Sequence, residues 1–259
     1  MNNKTNLIKI KCKEVIERLG FNGFNGEILS KEECIKKYPK FNSVFLGLSN
    51  WGHLTTGEII FDSDKVNIYD KYFDRSLCHE LYHAEFSKKK EYISIQYNQT
   101  DEYTPEILCL KFLSEVYAEK KLAFILPNGK LKGWDDILNS LKFNSIDYII
   151  SYNYNIYRNK LNPQTIEDYW NIITIILFIP INLISFFYVI DGNINESFKV
   201  KCFNYNDRIV RKILEYFQWF ENVVIPVDAD KLLENILVKK VIKKIKEVDK
   251  VITECGIKP

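Results

Sequence analysis

Apolar residues recur at every third or fourth position from Ile8 through Cys12, Val15, Ile16 and Leu19. That spacing predicts a first helix, buried along one stripe and stopped at Gly20. Asn22-Gly23 and Asn25-Gly26 read as turns, and Ser30 with Glu33 three residues later is a capping-box signature for a short second helix that Tyr38-Pro39 ends. Residues 43–48 and 58–62 read as two strands, joined by a loop that carries Trp51, Gly52, His53 and Gly57. A helix follows, with Leu77, Leu81, Ala84 and Phe86 as its apolar set. Lys88-Lys89-Lys90 suits a solvated helix end favoured by the dipole, and residues 92–97 suit a further short strand.

Thr104, Pro105 and Glu106 supply the cap, the first-turn proline and the first-turn acid of a long helix that runs to about Leu126. Beyond it Trp134, Ile137, Leu138 and Leu141 suggest another helix. Residues 172–190 then run without a charge. A membrane span needs about 20 apolar residues, so the length is compatible with one. Pro180 and Asn182 in its middle favour a buried, broken helix, leaving the span as the less favoured alternative. Two stripes close the chain. Ile209, Ile213, Leu214, Phe217 and Phe220 form the first; Leu233, Ile236, Leu237, Val241, Ile245, Val248 and Ile252 form the second, before Gly256. Lys239, Lys240, Lys243, Lys244 and Lys246 are expected on the wet face of that last helix. The elements amount to a mostly helical α+β protein: an N-terminal helical segment 1–42, a core 43–127 with a small sheet, and an all-helical region 128–259.

Composition narrows the class. With 259 residues, 46% of them hydrophobic, the chain can bury a substantial core. A net charge of +2 gives no reason to expect a nucleic-acid partner. Six cysteines, Cys12, Cys34, Cys78, Cys109, Cys202 and Cys255, are scattered through apolar segments without a C-x-x-C pair. They are expected to be buried free thiols in a reducing compartment. The N-terminal stretch lacks the unbroken apolar core of a secretory signal, so a cytoplasmic location is expected.

The chemistry gathers on the helix around Leu81. Two of the chain's three histidines fall in the pattern His79-Glu80-Leu81-Tyr82-His83. Residues four apart stand on one helical face, so His79 and His83 can offer two imidazole nitrogens to one metal ion, with Glu80 beside it to act on a bound water. Two histidines satisfied by ordinary hydrogen bonds would be the bland alternative. A catalytic zinc takes three protein ligands and keeps a place for water. The extended pattern ending in a third histidine would need it at position 89, which is Lys89, so a carboxylate is sought. Glu115 is the expected third ligand. Glu119, one turn on, is either a partner that orients one of the histidines or the competing ligand. Failing both, they would lie on a solvated face and pair with Lys111, Lys120 or Lys121. His53 or a tyrosine could stabilise the oxyanion, and the strand 58–62 is the candidate edge for pairing with an extended substrate.

The stretch Phe73-Asp74-Arg75-Ser76-Leu77-Cys78-His79-Glu80-Leu81-Tyr82-His83, with Glu115-Val116-Tyr117-Ala118-Glu119 and Leu126-Pro127 after it, resembles the ImmA/IrrE-like zinc metallopeptidases and, more broadly, the gluzincins. The resemblance covers roughly residues 43–127. It implies a zincin-like core, Zn2+ held by His79, His83 and Glu115, and Glu80 as catalytic base. Tyr82 stands where the family often has Gly, and Glu119 where it often has Asn or Asp. The expected activity is hydrolysis of peptide bonds in a polypeptide, with a regulatory protein cut at a restricted site as the implied substrate. The alternatives are a metal-containing binding or regulatory module without turnover, and a membrane-embedded metalloprotease.

Overall fold

Helix α1, Asn3–Leu19, buries Thr5, Ile8, Cys12, Val15 and Leu19 along one stripe. Gly20, at φ +75°, ends it in the left-handed conformation that glycine adopts without strain. Gly20 N–H donates to the Glu17 carbonyl and Phe21 N–H to the Ile16 carbonyl, each at 3.1 Å, the pair of bonds that closes a Schellman cap. The computed structural model describes residues 3–21, 23–39, 50–53, 57–70, 72–90, 92–93, 104–125, 169, 173 and 228–254. Contacts group the chain into two units, Met1–Ile93 with Phe124–Trp134, and Ser94–Ala123 with Asp135–Pro259.

In the first unit the expected capping box is present. Ser30 Oγ accepts from Glu33 N–H at 3.3 Å, and Glu33 Oε2 accepts from Ser30 N–H at 2.7 Å, starting α2, Lys31–Lys37. Strands β1, Ile28–Ser30, β2, Trp51–His53, and β3, Ile59–Phe61, form a three-stranded sheet in the order β1-β3-β2. β1 runs parallel to β3, with Ile28 opposite Ile59; β2 runs antiparallel, with His53 opposite Ile59. Two expectations are corrected here, and β1 is a further strand that the sequence pattern does not announce. Trp51, Gly52 and His53 lie on a strand instead of in a loop. The strand at 58–62 is the middle of this sheet, so its backbone groups are taken up on both sides and it is no free edge.

Ile59, Ile60 and Phe61 are all buried, so β3 is covered on both faces. Helix α3, Phe73–Ser87, packs against β2, β3 and α1. Phe73 meets the Trp51 ring edge-on at 5.5 Å. Tyr82 meets Phe21 with ring centres 5.0 Å apart. Arg18 of α1 pairs with the buried Asp74 carboxylate in the first turn of α3, where the helix dipole also favours an anion. Tyr92 and Ile93 are helical, with Ile93 N–H donating to the Lys89 carbonyl at 3.1 Å. The strand expected from residue 92 is therefore corrected at its start, and 94–97 lie outside the described residues.

In the second unit Thr104 Oγ1 accepts from Ile107 N–H at 3.2 Å and starts α4, Pro105–Ile125. α4 buries residues on every face, from Leu108, Cys109 and Leu110 to Phe112, Leu113, Val116 and Tyr117. A helix apolar all round belongs in an interior. α5, Ala229–Leu232, starts at Asp228, whose carboxylate accepts from Asp230 N–H at 2.8 Å. α6, Asn235–Glu254, buries Leu237, Val238, Val241, Ile245 and Ile252. Ile236, expected in that stripe, is 70% exposed: it lies more than one residue's rotation away from the line through Leu237 and Val241. Tyr169 O–H donates to the Asp249 carboxylate.

Cys12, Cys34, Cys78 and Cys109 are buried free thiols, as expected; Cys202 and Cys255 lie outside the described residues. So do the strand expected at 43–48, the helix around 134–141 and the stripe at 209–220. No helix among the described residues is long and apolar enough to cross a membrane. Of the run 172–190 only Ile173 is described, helical and buried.

Candidate metal centre

The centre starts on α3. Leu77, Leu81 and Ala84 are fully or almost fully buried and fix the roll of the helix. That roll turns His79 and His83, one turn apart, to a common side. Their Nε2 atoms are 2.8 Å apart, and the rings meet edge-on with centroids at 4.4 Å. His83 is buried and His79 half-buried. Two imidazole nitrogens aimed at one point can share a proton or share a cation, and neutral imidazole is a ready metal ligand. Glu80, half-buried, follows His79 directly.

Glu115 is half-buried on α4. His79, His83 and Glu115 each offer one ligand atom, and the three atoms lie within 4.8 Å of one another. This group could hold a metal ion. The spacing bears comparison with a loaded site: atoms bound to one tetrahedral zinc at about 2.0–2.2 Å stand roughly 3.3–3.5 Å apart. The histidine pair, at 2.8 Å, is somewhat tighter than that. Two imidazoles and a carboxylate are a donor set that suits zinc and other first-row cations.

Glu119 is not in this group. It is 4% exposed on α4, and the next residue, Lys120, is 3% exposed. The solvated face that was the alternative for both glutamates is thus corrected at its centre. Lys111 is exposed and Lys121 lies over the Tyr117 ring at 5.3 Å, but Glu119 and Lys120 are inside. Burial lowers the Lys120 amine to about 8. The sequence pattern offers this lysine as an ion-pair partner on a solvated face, whereas it lies inside; a charge in a helix apolar all round is itself a signal. His53 ends β2, and its side chain lies outside the described atoms. Glu58, at the start of the strand expected to meet substrate, accepts from Tyr38 O–H at 2.7 Å and from Lys37 at 3.4 Å, which ties it to α2.

Comparison of the chain with protein-family models, with the curated proteins and with the solved structures found no match to any of them.

Proposed function

We propose that this chain is a zinc-dependent peptidase with a zincin-like core, similar to the ImmA/IrrE-like metallopeptidases, acting on a polypeptide in the cytoplasm. The observation that carries it is the convergence of His79, His83 and Glu115, with Glu80 adjoining the first histidine. His79, His83 and Glu115 would hold the ion. A bound zinc would supply Lewis acidity toward the scissile carbonyl and lower the pKa of water. Glu80 takes the proton of the attacking water and delivers it to the departing amine, so one carboxylate serves as base and then acid. Buried Glu119 positions the centre from one turn beyond Glu115, and His53 is the candidate donor to the developing oxyanion. A regulatory protein cut at a restricted site is the proposed substrate.

Metal analysis and a peptide-hydrolysis assay on the same preparations test this. Wild type should carry about one zinc per chain and His79→Ala with His83→Ala should carry none. Glu80→Gln should keep its zinc and lose hydrolysis by about 10²–10⁴-fold. Full zinc in the double histidine variant overturns the site. Zinc-loaded wild type whose hydrolysis equals that of Glu80→Gln overturns the peptidase and leaves a metal-containing binding module.

A further inference from the structure

Away from the histidines, a cavity of about 900 Å³ opens between α1, the turn after it, β1 and α2. Its lining includes no group of the metal centre. Sites for small organic molecules typically enclose about 300–1,000 Å³, with an apolar lining and a few convergent polar groups. Here Ile16, Phe21, Phe24, Ile28 and Leu29 supply the apolar surface.

The charges around it divide into engaged and disengaged. Lys9 Nζ lies 2.6 Å from the Glu33 carboxylate, and Lys37 Nζ lies 2.9 Å from that of Glu27. Lys13 on α1 and Lys36 on α2 line the same cavity, are exposed, and form no ion pair among the described residues. Glu17, also exposed, is the remaining acid. Four lysines against three glutamates leave the lining with one net positive charge. The aromatic wall has neighbours on α3 and at Lys88, the residue that follows it. Phe21 rests on Tyr82 at 5.0 Å, while Lys88 Nζ bonds Asn25 Oδ1 at 2.7 Å and lies 5.8 Å from the Phe24 ring centre. An apolar lining that also carries two exposed amines without an ion pair among the described residues fits a ligand with an apolar body and an acid group.

We propose that this cavity binds an amphipathic organic monoanion, its apolar body on Phe21, Phe24 and Ile28 and its acid group between Lys13 and Lys36. The assignment is independent of the metal centre and goes beyond peptide hydrolysis. Calorimetric titration of the full chain with dodecanoate, dodecanol and dodecyltrimethylammonium, each below its micelle concentration, tests it. Dodecanoate should saturate one site, about tenfold tighter than the cation, because each exposed ion pair is worth a few-fold. Lys13→Gln combined with Lys36→Gln should erase that preference without changing the far-ultraviolet circular dichroism. Ile16→Trp, which fills the cavity, should weaken all three ligands; if it fails to fold, Phe24→Ala should weaken them in its place. Absence of saturable dodecanoate binding, equal affinity for anion and cation, or a preference that survives the double lysine change would each overturn the proposal.

Discussion

α4 and α6 are helices of nearly equal length, 21 and 20 residues, and they treat charge in opposite ways. In α6 the buried line of Leu237, Val241 and Ile245 is set against exposed Lys239, Lys240, Lys243 and Lys246. Polarity there marks water. In α4 every face carries buried residues, and Glu119 and Lys120 are buried among them. Holding a charge in an interior is costly unless a partner or a shifted protonation state compensates it. Charge in α4 is therefore no simple marker of water: Lys111 is exposed, Glu119 and Lys120 are buried, and Glu115, of the group that could hold a metal ion, is half-buried. The lesson is that one residue type carries different information according to the helix around it.

The sharpest test of this contrast is on the two acids of α4. Losing a ligand from a three-ligand site should weaken zinc binding by more than about 100-fold, whereas loss of a group that orients a ligand costs about 10- to 100-fold. Glu115→Gln should therefore strip zinc that Glu119→Gln retains, read as zinc content after dialysis against a chelator. Glutamine keeps helix propensity nearly unchanged, so the difference reports on metal. The reverse order would make Glu119 the third ligand, one turn further along α4.

What could be read from the sequence was what short-range chemistry decides. Ser30 and Glu33 cap each other within one turn, Gly20 stops α1 through its own backbone, and His79 and His83 share a face because four residues are about one turn. The sheet was harder, because pairing is long-range. Ile28–Ser30 is three residues between a turn and a helix cap, with no alternation to display, and becomes a strand by lying beside Ile59–Phe61. Trp51-Gly52-His53, with glycine at its centre, looks like a loop until β3 pairs with it. Once partners exist on both sides, residues 59–61 are the middle of the sheet, which no single segment can announce. Lys120 reads as part of a solvated face because helical period assigns a face without saying that every face is covered.

That lysine supplies the next prediction. Burial lowers its amine from 10.5 to about 8. Below pH 8 both folded and unfolded chains hold the proton, and the cost of the buried charge is present in full. Between pH 8 and 10.5 the unfolded chain holds more proton than the folded one, so this residue makes stability rise with pH. Cys12, raised by burial to about 12, acts in the opposite sense above pH 9, so the variant must be compared with wild type at each pH. Lys120→Met should stabilise below pH 8 by on the order of 3 kcal/mol in urea unfolding, and the gain should shrink to nothing as pH approaches 10.5. A gain independent of pH would show that the amine is not neutralised in the folded chain.

The smallest effect is predicted for α6, and it is the one that can break the comparison. Lys240 is exposed and has no carboxylate partner among the described residues, while Lys244 lies 2.9 Å from Glu247 one turn on. An exposed pair at that spacing contributes about 0.2–0.5 kcal/mol, and a lone solvated lysine contributes less. Glu247→Gln should therefore cost a few tenths of a kcal/mol that added salt removes, and Lys240→Gln should stay within about 0.5 kcal/mol of wild type at any ionic strength. Urea unfolding at low and high salt reads both. A loss above about 1 kcal/mol in Lys240→Gln lies outside the range for a solvated surface residue. The lysine face of α6 would then be engaged with something other than water, and exposure would no longer distinguish its charges from the buried Glu119 and Lys120 of α4.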